Sequence, residues 1–169
     1  MISILKSNHG SRLLQALLLV LVTFSFAACK KDNTPQKEKD DKQIQQYFKA
    51  NNIDPATVTK TSSGLYYQQL EAGTGDKVFP GDVVSVHYTG TLLNGTKFDS
   101  SIDRGKPFEF KVGVGGVIAG WDEGLPYMRE GEKARLFIPS HLGYGRQSSG
   151  PIPANSPLVF EIEVLDILP

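Results

Sequence analysis

The chain has 169 residues, with 18 basic and 18 acidic side chains and a formal net charge of zero. That length suits one domain with short appendages, and 40% hydrophobic content supports a globular core rather than wholesale disorder. Balanced charge argues against nucleic-acid binding, one cysteine excludes an internal disulfide or a multi-cysteine metal site, and no stretch reaches the ~18 uninterrupted apolar residues of a membrane span.

At the N-terminus, Lys6 and Arg12 precede an apolar run over residues 13–28 that ends Phe26-Ala27-Ala28-Cys29. A charged start, an apolar centre and small residues at the cut read as a secretory signal over residues 1–28. With the only cysteine directly after those small residues, the segment resembles a bacterial lipoprotein signal peptide. That resemblance implies a diacylglycerol on the Cys29 thiol, cleavage before it and acylation of the new amino terminus. An ordinary cleaved signal or an uncleaved anchor is the alternative. Cleavage leaves 16 basic against 18 acidic residues, too near neutral to indicate a partner. Acyl chains contribute roughly 0.8 kcal/mol per buried methylene, so a multi-acyl anchor would hold the protein on a membrane of the cell envelope, at the periplasmic face or the outer membrane.

Residues 30–43 contain no aliphatic or aromatic side chain. Such a stretch buries too little to offset its ordering entropy, so residues 29–43 read as a flexible tether. Ile44, Tyr47 and Phe48 then fall at i, i+3, i+4 spacing, which predicts a short amphipathic helix from about residue 40 to Asn51-Asn52. Residues 44–59 are read as a brace packed on the domain, with a partner-binding helix as the alternative. The helix is too short for a dimerisation arm, and a monomer is expected.

From Ser63 onward the pattern changes to strands. Residues 65–70 form one, closed by Gly73-Thr74-Gly75. In residues 83–93, Val84, Val86 and Tyr88 alternate with Ser85, His87 and Thr89. Asn94-Gly95 is a hairpin signal, with residues 96–98 as the return strand. Residues 108–110 make a short alternating piece. Residues 117–128 predict a helix with Ile118, Trp121 and Leu125 on one face. Residues 133–139 are a strand, and Leu158, Phe160, Ile162 and Val164 alternate through a long closing one. The sum is an α+β domain over residues 60–169: an antiparallel sheet of about five strands wrapped around one short helix, preceded by a short N-terminal helix.

Several motifs coincide in order. Val86-His87-Tyr88-Thr89-Gly90 is followed by Gly95-Thr96-Lys97-Phe98-Asp99-Ser100-Ser101, then Arg104-Gly105-Lys106-Pro107-Phe108. Val117-Ile118-Ala119-Gly120-Trp121-Asp122 comes next, then Tyr144-Gly145, Ile152-Pro153-Ala154-Asn155 and Leu158-Val159-Phe160. This ordered run resembles the FKBP-type peptidyl-prolyl cis-trans isomerases. The resemblance implies an apolar pocket for a proline ring, walled by Tyr88, Phe98, Phe108, Val117, Ile118, Tyr144, Ile152 and Phe160, with Trp121 as its floor. It implies Asp99 at the rim, positioned by Arg104, and the Ile118 N–H and Tyr144 hydroxyl as donors to peptide carbonyls. Proline-containing polypeptides and macrolide inhibitors are the implied partners, and no cofactor is needed. Gly116 stands where many members carry Glu, and the 147–150 tip is short and polar, which bears on substrate preference and macrolide affinity.

By patterning alone, Tyr88, Phe98, Phe108, Trp121 and Phe160 are ordinary core residues, and Asp99 is a turn cap. His87 alternates away from Tyr88, and neither it nor His141 has a nucleophile or ligand cluster nearby, so both are read as structural. The expected chemistry needs no acid, base or nucleophile. The alternative to a lipid-anchored isomerase is a proline-peptide-binding or chaperone module with little turnover.

Overall fold

The computed structural model describes residues 34–168. The expected signal peptide and Cys29 lie outside the described residues. The chain opens with α1 (Gln36–Ala50), followed by a 3-10 turn at Pro55–Thr57 and the short strand β1 (Thr59–Lys60). Then come β2 (Tyr66–Glu71), β3 (Val83–Leu92), β4 (Lys97–Ser100) and β5 (Phe108–Lys111). Helix α2 (Ala119–Gly124) runs into a 3-10 turn at Leu125–Tyr127, and β6 (Lys133–Ile138), a 3-10 turn at Ser140–Leu142 and β7 (Leu158–Leu168) complete the fold.

The strands form one antiparallel sheet in the order β1-β2-β6-β7-β3-β4, with β5 also pairing to β3. Among the described residues there are seven strands where about five were expected: β1, a two-residue strand too short to show an alternating pattern, pairs with β2. Alternation then sorts the side chains by face. Ala134, Leu136 and Ile138 of β6, with Leu158, Phe160, Ile162 and Val164 of β7, enter the main core under α2. Phe137 and Val159 point the other way and form a second core with Ile44 and Phe48 of α1 and Tyr66.

Helix α2 lies almost directly on β6. A Cβ added at Gly120 would come within 2.5 Å of Ile138 Cγ2, and one at Gly124 within 2.5 Å of Leu136 Cδ1, so glycine at i and i+4 sets this approach. The helix is shorter than residues 117–128. Val117 and Ile118 precede it, Ile118 being its extended N-cap, and Pro126 lies in the 3-10 turn that ends it, having no N–H to continue the ladder.

The largest correction concerns residues 36–43, assigned to the tether although the helix is expected from about residue 40: the whole stretch belongs to α1. Asp40 in that segment is fully buried. Its anchoring is polar: the carboxylate accepts from the backbone N and hydroxyl of Ser140 at 2.8 and 2.6 Å. A count of apolar side chains misses such a contact. At the other end α1 stops at Ala50, before Asn52 with φ of 54°, so the expected brace is helical only over its first part.

Candidate active site

The sheet and α2 converge on a cavity of about 400 Å³. Trp121, four per cent exposed, forms its floor. Around it stand Tyr88 (ring centroids 4.9 Å apart, 86°), Phe160 (5.2 Å, 84°), Phe110 (5.4 Å) and Phe108 (6.2 Å). Phe98 meets Phe160 edge-on at 5.5 Å. These are the tilted and edge-to-face arrangements that aromatic quadrupoles favour. Phe98, Asp99, Val117, Ile118 and Tyr144 complete the lining with Gly116. Of the expected wall residues, the cavity thus brings together all but Ile152. That residue is held in a tight turn by paired backbone bonds with Ser149 (2.9 Å each) and packs into the main core instead.

Arg104 stands behind the wall. It pairs with Asp99, donates to the Tyr88 hydroxyl at 2.9 Å and lies over the Tyr88 ring. The Tyr88 hydroxyl in turn donates to Asp99, whose other oxygen accepts from Ser100 N at 2.8 Å. Partial burial alone would raise the Asp99 pKa. The hydrogen bonds from Tyr88 and Arg104 together outweigh it and hold the carboxyl below its ordinary range. Burial first, and the Asp99 carboxylate second, push the Tyr88 phenol upward, so it stays protonated. The rim therefore presents a carboxylate neutralised by a guanidinium.

Two donors face a different situation. Among the described residues nothing hydrogen-bonds the Tyr144 hydroxyl, and the Ile118 N–H makes no backbone bond, whereas the Ile118 carbonyl accepts from Trp121 N. The loop before Ile118 is tied by Asp122, which accepts from Gly113 N at 2.7 Å and Gly115 N at 2.8 Å. Both glycines have left-handed φ, 77° and 76°. Asp122 and Phe110 were not singled out from the sequence. The i, i+2 spacing of Phe110 from Phe108 was the available signal, and Asp122 after a glycine-rich loop was a weaker one. His87 bonds Ser101 Oγ and His141 the Ser63 carbonyl, each at 3.0 Å, and neither lines the cavity.

A larger groove, about 640 Å³, runs between α1 and the hairpin at residues 92–94. Among the described residues its lining is mostly amides and prolines, with Tyr47 the one aromatic. It lacks a buried apolar floor, so the smaller cavity is the better site for an apolar ring.

The family model described as FKBP-type peptidyl-prolyl cis-trans isomerase matches residues 75–165. Among curated relatives, the chain is 54% identical over 109 residues to FK506-binding protein 2 of Dictyostelium discoideum, covering 64% of this chain and 80% of that protein. It is 40% identical over 169 residues to a probable FKBP-type peptidyl-prolyl cis-trans isomerase of Haemophilus influenzae, covering 99% of this chain and 67% of the relative. The crystal structure of FkpA from Escherichia coli superposes with a TM-score of 0.67 at 36% identity, over 99% of this chain and 75% of that one.

Proposed function

The chain belongs to the FKBP-type peptidyl-prolyl cis-trans isomerase family and is an X–Pro isomerase, and on that premise we propose that it works as a lipid-anchored enzyme of a bacterial cell envelope, on exported proteins. The anchor rests on one observation: the only cysteine, Cys29, directly follows an apolar run ending in small residues. Cells making the full chain with a labelled fatty acid should yield a labelled membrane band that is lost in Cys29→Ala. A soluble, unlabelled wild-type protein would refute the anchor and leave the isomerase intact.

In the site we assign Tyr88, Phe98, Phe108, Val117 and Phe160 as walls for the proline ring and Trp121 as its floor. The Ile118 N–H and the Tyr144 hydroxyl donate to the carbonyls beside it, and Asp99 with Arg104 fixes the Tyr88 edge. What supports this is the cavity's composition: aromatic rings inside, two unengaged donors at the border and an internally neutralised ion pair. The X–Pro bond resists rotation because amide resonance imposes a barrier of ~18–20 kcal/mol. A twisted amide is less polar than a planar one, so a dry apolar cup disfavours the planar ground state relative to the transition state. Lowering the barrier by ~4 kcal/mol gives about a thousandfold acceleration. The same cavity suits a macrolide, so FK506, for which several of the relatives are named, should compete with a Phe-Pro peptide. Folded protein that accelerates no proline peptide would leave only the binding-module alternative.

A further inference from the structure

We propose that Asp40 of α1 is a positioning residue for the isomerase site, acting on Tyr144 through Ser140; the proposal rests on the reading that Tyr144 borders the substrate. Among the described residues, the buried carboxylates are Asp40 and Glu132. Glu132 accepts from Tyr67 on the neighbouring strand and from Arg129 N, and neither bond leads to the cavity rim. Asp40 reaches Ser140, 100 positions away. One oxygen accepts from Ser140 N at 2.8 Å and Ser140 Oγ at 2.6 Å, and the other accepts from Gln36 Nε2 at 2.6 Å.

Ser140 opens the 3-10 turn leading to the cavity rim. Its carbonyl accepts from Gly143 N at 3.0 Å and Gly145 N at 2.8 Å, the two amides that flank Tyr144. The Gly145 carbonyl accepts from Asn155 N at 2.7 Å, which ties the far side of this arc. A path therefore runs from the Asp40 carboxylate to the N–H and hydroxyl of Ser140, across that residue to its carbonyl, and on to both neighbours of a side chain that lines the cavity. Ile44 and Phe48 already hold α1 on the sheet, so docking the helix does not require a buried charge. A buried carboxylate is costly unless fully bonded, and here its bonds go to the backbone that carries the Tyr144 arc. Helix α1 also lies outside residues 75–165, so the arc is held from beyond the matched domain.

The test uses the full chain in detergent, with kcat/KM measured on a Phe-Pro peptide for Asp40→Ala, Asp40→Asn, Tyr144→Ala and the Asp40→Ala/Tyr144→Ala double variant. Amide exchange is followed at Gly143 and Gly145. Asp40→Ala should lose about three- to tenfold in kcat/KM and exchange faster at those two amides. Asp40→Asn should stay within about twofold of wild type, because its amide oxygen still accepts from Ser140 and Gln36 can turn its own oxygen toward the new NH2. In the Tyr144→Ala background, Asp40→Ala should cost less than about twofold, since contacts acting in series are not additive. Equal losses in both backgrounds, or unchanged exchange at Gly143 and Gly145, would overturn the proposal and leave Asp40 a general brace. If Asp40→Ala fails to fold, Ser140→Ala, which removes only the hydroxyl, must show a smaller loss with the same non-additivity. Full activity in Tyr144→Ala would overturn the site reading itself, and the proposal with it.

Discussion

Gly90 is the position where one methyl group should do the most damage to the cavity. It sits in β3, opposite Asp99 of β4 and Phe160 of β7. A Cβ there would lie 2.6 Å from Phe98 Cε2, and 2.7 Å from both Phe98 Cζ and Phe160 Cε1. Carbon atoms pack at ~3.5–4.0 Å, so each ring must retreat by about 1 Å. Gly90 is not among the positive-φ residues, so its backbone accepts alanine and the cost is purely steric. The two rings meet edge-on and Phe160 is wedged against Trp121, so neither moves without opening the wall. Overpacking of this kind costs about 1–3 kcal/mol. Expressed wholly in the transition state, that is a loss of about 5- to 150-fold in kcat/KM. The assay is peptide cis/trans exchange by NMR, with circular dichroism to show that the variant is folded. Phe98→Leu removes the atoms nearest the new methyl, so the Gly90→Ala/Phe98→Leu double variant should fall by less than the product of the single losses. A folded Gly90→Ala protein with wild-type kcat/KM would refute the reasoning.

Tyr144→Phe keeps the apolar wall and removes one donor, so kcat/KM should fall by about 2- to 12-fold, matching ~0.5–1.5 kcal/mol for a neutral hydrogen bond; no change would show that the hydroxyl is not used. For pH, the Asp99 pKa lies below its ordinary 3.8, so the folded state binds that proton less tightly than the unfolded one. Its contribution to stability is therefore complete above pH ~4 and is lost as pH falls through the lowered value. NMR titration of the carboxyl should show that midpoint rising toward 3.8 in Arg104→Gln, and an unmoved midpoint would mean the pairing does not hold the charge. His87→Gln and His141→Gln should leave kcat/KM flat between about pH 6 and 8, because both imidazoles lie outside the cavity; a wild-type inflection within that range that vanishes in either variant would indicate acid–base chemistry.

How far the sequence carries the fold depends on whether the partner of each side chain is local. Val84, Val86 and Tyr88, and Leu158, Phe160, Ile162 and Val164, show period-two alternation, and these residues enter the main core. The hairpin at Asn94-Gly95 is there too, with Gly95 at φ of 85°. Its tight turn is centred one residue earlier, since Gly95 N bonds the Leu92 carbonyl at 2.9 Å, and Gly95 follows as the left-handed residue. Where the partner is distant the pattern is silent. Nothing near Asp40 announces Ser140, so a polar stretch with a buried carboxylate reads as a tether. Gly90 sits within a recognisable motif, yet its purpose depends on two rings from other strands.

The same distinction applies to the site. Aromatic residues at strand spacing are as compatible with an ordinary core as with a pocket, and the structure shows why patterning alone cannot separate the two readings. Trp121, Tyr88 and Phe160 are each less than a tenth exposed and belong to the main core cluster while lining the cavity. The cavity is a place where the core comes to the surface unfilled, not a separate feature set upon it. This arrangement suits bond rotation better than it would suit hydrolysis. A reaction that forms no new bond needs walls that exclude water and donors at fixed places, and core packing supplies rigid walls. The ionisable groups at the border are consistent with that requirement. Asp99, Arg104 and Tyr88 satisfy one another, so the charge is consumed in holding the Tyr88 wall and the interior stays apolar. Replacing Arg104 should therefore act through Tyr88 and the wall as well as through the lost charge.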